Sequence, residues 1–224
     1  MRIVIVTLFP EYFDSVFKTS ILGKAVASEK VSLEITNIRD YATDTQKTTD
    51  DRPFGGGPGM VLKVEPIAAA LAAVQSSLGK EESCTVLLTS AKGRQYTQAM
   101  ARDLVLHDVV IIICGHYEGV DERVAELFVD QEVRIGNFVL SGGEPAAAVI
   151  ADSVIRLLPG VLGNEESTTG ESHDTPGVLA YPQYTRPQVF EGHAVPEVLL
   201  TGDHKRITQW REEHRGVEVE KNDE

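Results

Sequence analysis

The chain has 224 residues, with 34 Asp and Glu against 21 Lys and Arg and a formal net charge of −13. That length suits one large domain or a main domain with a small appendage, and the acidity excludes a protein that coats nucleic acid through a general basic surface. The only two cysteines, Cys84 and Cys114, lie in apolar runs and read as buried thiols, and the six histidines lack the close pairing of a zinc site, so no metal site is read.

The apolar start ends at Pro10, too early for a signal h-region or a membrane span, so a soluble cytoplasmic protein without membrane association is expected. Residues 3–8 read as a buried strand and 10–17 as the helix after it. Residues 31–38 read as a second strand, with Val31, Leu33 and Ile35 in alternation. The Ala- and Leu-rich run 64–78 opens near Pro66 and stops at Gly79, which predicts a helix. Next come strand 84–88, helix 93–106, strand 108–114, helix 121–128, short strand pieces at 132–135 and 138–140, and helix 145–158. This alternation predicts an α/β core with a mostly parallel sheet. Residues 163–176 hold no large apolar side chain and read as a flexible linker. Helical periodicity returns over 195–215, and the acidic residues from Glu212 onward are expected to fray.

Several segments exceed what a fold needs. DDRPFGGGPGM (50–60) sets four glycines around a proline, a composition for positive φ or close approach to a ligand. Neither a Gly-Lys-Ser/Thr nor a GxGxxG spacing makes it a nucleotide loop. GHYEGVDE (115–122) follows the apolar strand directly, where an open α/β sheet places its ligand crevice. Asp121 suits a helix N-cap, whereas Glu118 is left over and suits a cationic partner such as a sulfonium or an amino group. In RIGNFVLSGGE (134–144) glycines bracket a short apolar stretch, as expected where backbone groups grip an adenine edge. The turn 89–93 adds a third loop at the same sheet edge, and the three together predict a pocket.

In order, IVTLFPEYF, DDRPFGGGPGM, GHYEGVDERV, IGNFVLSGGE, DSVIRLLPGVLGNE, YPQYTRPQVFEG, VPEVLLTGDH and ITQWR resemble the TrmD-type tRNA (guanine-N1)-methyltransferases of the SPOUT, trefoil-knot class. The resemblance is collinear over nearly the whole chain. It implies methyl transfer from S-adenosylmethionine to N1 of the guanosine immediately 3′ of the anticodon in tRNA. It also implies a deep trefoil knot over 84–158 and an obligate homodimer with its active sites at the subunit interface. The domains it implies are a knotted cofactor-binding domain (1–160), a flexible catalytic linker (161–182) and a short C-terminal helical tRNA-binding domain (183–224). That last domain reads as truncated, since the family continues past Trp210 and Arg211 with more helices.

Carried over by motif, the cofactor loops are Leu88, Thr89 and Ser90; Gly115, Tyr117 and Glu118; and Ile135, Gly136, Phe138, Leu140, Ser141, Gly142 and Gly143. Arg156, in DSVIR, matches the family arginine that faces guanine O6, where loss of the N1 proton leaves negative charge. The family base is an Asp in an Asp-Ser-His or Asp-Ser-Phe triplet. Glu171-Ser172-His173 matches it if one residue is inserted before Gly177, so Glu171 is the expected base and Asp174 the alternative. Mg2+ enters only as a suggestion of the resemblance. Asn137, Ala91 and the early Pro145 depart from the family pattern. Two rival functions remain at this stage: a SPOUT-fold RNA- or cofactor-binding protein without turnover, and a SPOUT methyltransferase acting on ribosomal RNA.

Overall fold

Six consecutive apolar residues, VVIIIC, leave 109–114 no polar face, so this stretch can form a strand only where both sides are covered. The computed structural model, which describes residues 1–163 and 170–218, places it at the centre of a sheet with all six residues buried. In chain order the first elements are β1 (Arg2–Thr7), α1 (Ser20–Ala27), β2 (Ser32–Asn37), β3 (Asp50–Asp51) and β4 (Val61–Leu62). Then follow α2 (Val64–Ser76), β5 (Cys84–Gln95), α3 (Gln98–Val105), β6 (Val109–Cys114), α4 (Glu122–Phe128), β7 (Gln131–Arg134) and α5 (Glu144–Ile155). The main sheet has the order β2-β1-β6-β5-β7, and every pairing in it is parallel.

Strand alternation divides the core into two layers. Ile3 and Ile5 of β1 with Val110, Ile112 and Cys114 of β6 meet buried side chains of α1, α3 and α5 on one face. Val4 and Val6 with Val109, Ile111 and Ile113 meet those of α2 and α4 on the other. Each such aliphatic side chain contributes about 1.5–3 kcal/mol by leaving water, which is why the parallel sheet needs helices on both faces.

The chain divides into two compact units, Met1–Gly163 and Asn164–Glu224. The second unit contains β8 (Val178–Leu179), β9 (Val189–Phe190), β10 (His193–Ala194), α6 (His204–Glu213) and β11 (Gly216–Val217). β8 pairs antiparallel with β11, and β9 with β10. Asp203 caps α6 by accepting from the amides of Lys205 and Arg206. None of the described apolar side chains in this unit is buried.

Several local expectations change. Residues 10–17 form two 3-10 turns, Pro10–Phe13 and Val16–Lys18, with the weak helix formers Asp14 and Ser15 between them; the regular helix starts later, at Ser20. β5 continues to Gln95, because Arg94 and Gln95 rejoin β7, and helix α3 waits for Thr97, whose hydroxyl caps it by accepting from Met100 N. Residues 138–140 are not a strand; they are exposed loop. The run 195–215 breaks at Gly202, φ +71°, into a 3-10 turn Glu197–Leu200 and α6. Glu212 and Glu213 end α6 in place of fraying, and residues 219–224 lie outside the described residues. Within the expected linker, 164–169 also lie outside them. From Gly170 the chain is tied by His173 N to Val178 O (2.7 Å) and Ala180 N to Ser172 Oγ (2.9 Å).

Candidate active site

Three loops leave the carboxyl ends of β5, β6 and β7, the edge where open α/β sheets hold ligands. The first is an excursion of β5. Thr89 and Arg94 both face Val133 of β7, so residues 90–93 bulge out between them. Thr89 is buried, donates its hydroxyl to Ile113 O (3.2 Å) and accepts from Gly115 N (3.2 Å), which fastens the first loop to the second.

The second loop turns sharply at Tyr117, φ +59°, and its carbonyl of His116 accepts from Gly119 N. It is tied to β4 and the glycine loop by Leu62 N to Gly119 O (3.0 Å) and Glu118 N to Met60 O (3.0 Å). The four loop glycines all take positive φ, as their density predicts, and a Cβ at Gly59 would lie 2.5 Å from the Glu118 side chain. Asp121 caps α4, and its carboxylate pairs with Arg123 (2.6 Å), which holds its pKa below the ordinary value.

The third loop crosses back over the second. Gly143 N donates to Gly115 O at 2.7 Å, and His116 bridges Gly142. A Cβ at Gly143 would lie 2.9 Å from Gly115 N and 3.0 Å from Cys114 Cα, so glycine is required by the approach alone.

Together the loops enclose a cavity of about 470 Å³, in the range of small-molecule sites. All thirteen residues expected in the cofactor loops line it: Leu88, Thr89, Ser90, Gly115, Tyr117, Glu118, Ile135, Gly136, Phe138, Leu140, Ser141, Gly142 and Gly143. Arg156 does not line it. It caps the far end of α5, roughly 18 Å along the helix axis from Glu144. Glu171 and Asp174 belong to the second unit, where Asp174 Oδ2 accepts from Gly170 N at 2.9 Å.

Sequence reasoning missed four polar residues at this site. Lys92 bonds both carboxylate oxygens of Glu122 (2.8 and 2.5 Å), which raises its pKa, and it approaches Glu132 at 3.6 Å. Glu132 Oε2 is buried and makes no hydrogen bond among the described residues. Below the second loop Glu144 is buried, with Thr7 Oγ1 donating to its Oε1 (2.7 Å) and His116 Nδ1 3.9 Å from its Oε2. The position of Glu144 beside Cys114 adds to burial in pushing that thiol well above its ordinary range. His116 stands inside a motif singled out for its neighbours, whereas a Glu opening a helix gives no sign of burial. Among the described residues no three His, Cys, Asp or Glu side chains group as metal ligands, and no helix is long and apolar enough to cross a membrane.

Comparison with known proteins gives one consistent match. The family model described as tRNA (Guanine-1)-methyltransferase TrmD matches residues 1–223. The tRNA (guanine-N(1)-)-methyltransferase of Geotalea uraniireducens is 50% identical over 211 residues, 94% of this chain and 84% of that protein. The one from Geobacter metallireducens matches at the same identity and coverage. The one from Nitratidesulfovibrio vulgaris is 49% identical over 95% of this chain, which spans only 48% of that longer relative.

Proposed function

Because the chain belongs to the TrmD family of tRNA (guanine-1)-methyltransferases, we propose that it is an enzyme that methylates N1 of the guanosine immediately 3′ of the anticodon in tRNA. Its methyl donor is S-adenosylmethionine. The observation that carries the reading is the convergence of three glycine-bearing loops on one cavity at the carboxyl edge of a parallel sheet. The residues present suit that donor. Residues 135, 136 and 138–143 line the cavity where an adenine edge can lie, Glu118 offers a carboxylate to a cationic centre, and Glu132 Oε2 and His116 Nδ1 are buried polar atoms without hydrogen bonds among the described residues.

When bound, S-adenosylmethionine supplies a methyl group on a positively charged sulfur. The protein's task is to make guanine N1 nucleophilic by taking its proton, which leaves charge on O6. Arg156 stabilises that charge through its guanidinium, and Glu171 takes the proton; Asp174, which accepts a hydrogen bond within its own turn, is the second candidate. Arg156 lies at the far end of α5 from the cavity in its own chain, which supports a homodimer whose sites combine residues of two subunits. The exposed Tyr184, Val189, Phe190 and Leu200 of the second unit support the same reading, since their apolar surface is left for a partner. Family membership supports a trefoil knot over 84–158, a role for 183–224 in holding tRNA and a cytoplasmic location. Mg2+ is assigned no residues and no step.

The test is transfer of tritiated methyl from S-adenosylmethionine to unmodified tRNA. Label should appear at N1 of the guanosine 3′ of the anticodon and vanish when adenosine replaces it. Labelling of ribosomal RNA instead, or donor binding with no turnover on any tRNA, would overturn the proposal.

A further inference from the structure

The cavity wall contains one ionisable ring that no motif role covers. His116 lines the cavity with its side chain 21% exposed, yet its Nδ1 is fully buried. Nε2 is therefore the only polar ring atom able to meet a ligand. The ring is clamped between Phe9 and Tyr117, each with its centroid 4.8 Å away, the first tilted and the second edge-on. On the inner side Nδ1 stands 3.9 Å from Glu144 Oε2, within ion-pair reach but beyond a hydrogen bond, and it has no hydrogen-bond partner among the described residues. Glu144 is itself fixed, since its other oxygen accepts from Thr7 Oγ1, whose own oxygen accepts from Phe9 N (2.9 Å). Gly142 makes the approach possible, because a Cβ there would lie 2.5 Å from Nδ1.

A buried imidazole nitrogen without a hydrogen-bond partner is costly, and the nearest acceptor for it is Glu144 Oε2. A small rotation of the ring would satisfy it, with Nδ1–H donating to Glu144. That orientation fixes the tautomer and leaves Nε2 toward the cavity, the same logic by which an outer carboxylate orients a histidine in metal and hydrolase sites. We propose that His116 is a ligand-contacting residue, with Glu144 as its positioning residue, and that His116 Nε2 takes an oxygen of the bound cofactor. This rests on the S-adenosylmethionine reading above. With the ring proton on Nδ1, Nε2 is an acceptor, so the oxygen with the required chemistry is a ribose hydroxyl, which can donate to it; the carboxylate of the amino-acid end only accepts and does not fit.

Calorimetry on the full chain with S-adenosylhomocysteine and 5′-methylthioadenosine, which lacks the amino-acid end, tests this. His116→Phe keeps the ring packing and should weaken S-adenosylhomocysteine about tenfold, the worth of one hydrogen bond. His116→Gln, whose amide reaches the Nε2 position, should stay within about threefold of wild type, whereas His116→Asn should not. Glu144→Gln should weaken binding in the wild-type background but add less than about twofold to His116→Phe, since it acts through the ring. The His116→Phe loss should persist with 5′-methylthioadenosine, which keeps the ribose; a loss that disappears with it overturns the assignment to a ribose hydroxyl. Unchanged affinity in a folded His116→Phe protein, or full multiplication of the two losses, overturns the proposal while leaving the cofactor reading intact. A wild-type protein that ignores S-adenosylhomocysteine overturns the cofactor reading and this proposal with it.

Discussion

The crossing of the second and third loops should be the most sensitive backbone position in the first unit, and Gly143→Ala tests it. The native φ of −82° and ψ of −8° suit alanine, so no conformational strain is added. Restricting the unfolded chain would by itself stabilise the variant by about 0.4–1 kcal/mol. Against this, the new methyl would overlap the buried Thr89 hydroxyl and sit 2.9 Å from Gly115 N and 3.0 Å from Cys114 Cα, the last two being backbone atoms. Reaching ordinary contact requires the Thr89 hydroxyl to leave its bonds to Ile113 O and Gly115 N and the loops to separate by about half an ångström, an overpacking cost of at least about 1–3 kcal/mol. The net loss should be at least about 1–2 kcal/mol, or roughly 4 °C in Tm. The same shift moves the cavity wall, so affinity for S-adenosylhomocysteine should fall at least tenfold. Gly79→Ala is the control, since its methyl would meet only the flexible Glu82 side chain at 3.4 Å, and it should match or exceed wild-type stability. Urea unfolding and calorimetry on both variants decide it. A Gly143→Ala protein with wild-type stability and affinity would refute the claim that this crossing sets the cavity's shape.

Single-turnover methyl transfer should fall by about 10²–10⁴ in Glu171→Gln and much less in Asp174→Asn; a collapse in Asp174→Asn alone, with cofactor binding intact, would move the base to that residue. Arg156→Ala should lose transfer while keeping cofactor affinity, and mixing it with Glu171→Gln subunits should restore activity; no rescue in confirmed heterodimers would refute a shared site. Tyr96 has a pKa pushed up to about 12 by burial, opposed by its hydrogen bond to Ser153 (2.7 Å). Its folded pKa is raised, so that stability is fully present below pH 10 and is lost as pH climbs toward 12. Tyr96→Phe should remove about 2–3 kcal/mol of alkaline destabilisation over that window, measured by urea unfolding against pH. Burial raises the Cys114 thiol strongly and that of Cys84 as well, so iodoacetamide should leave Cys114 unmodified in the native protein and label it on unfolding.

The sheet was legible because its strands are buried on both faces, and a run such as VVIIIC leaves no other structure open. The cavity loops were legible because glycine clusters after apolar strands have few other uses. The end of β5 was not, since residues 90–95 look like the start of a helix and only pairing with β7 makes Arg94 and Gln95 extended. Residues 138–140 misled in the opposite way, because Phe138, Val139 and Leu140 carry strand propensity but have no partner to pair with and stay exposed. Glu144 escaped notice because its burial depends on Thr7, 137 residues away in sequence. Sequence ranks Glu171 above Asp174 only through one inserted residue, since an ungapped count puts Ser172, which cannot act as the base, at the base position.

The excursion of β5 separates the letters that build the fold from those that meet a ligand. Its two stems lie against the same residue of β7, so the ends of the four-residue loop are already joined by the sheet and little closure entropy is left for the loop to meet. Only Gly93 is bound to its identity by packing, because a Cβ there would lie 2.5 Å from the backbone of Glu132 and Val133. Ser90, Ala91 and Lys92 can therefore be exchanged as a cassette. Libraries randomised at those three positions should yield mostly folded proteins that differ in what the cavity accepts, a natural starting point for engineering donors other than the native one.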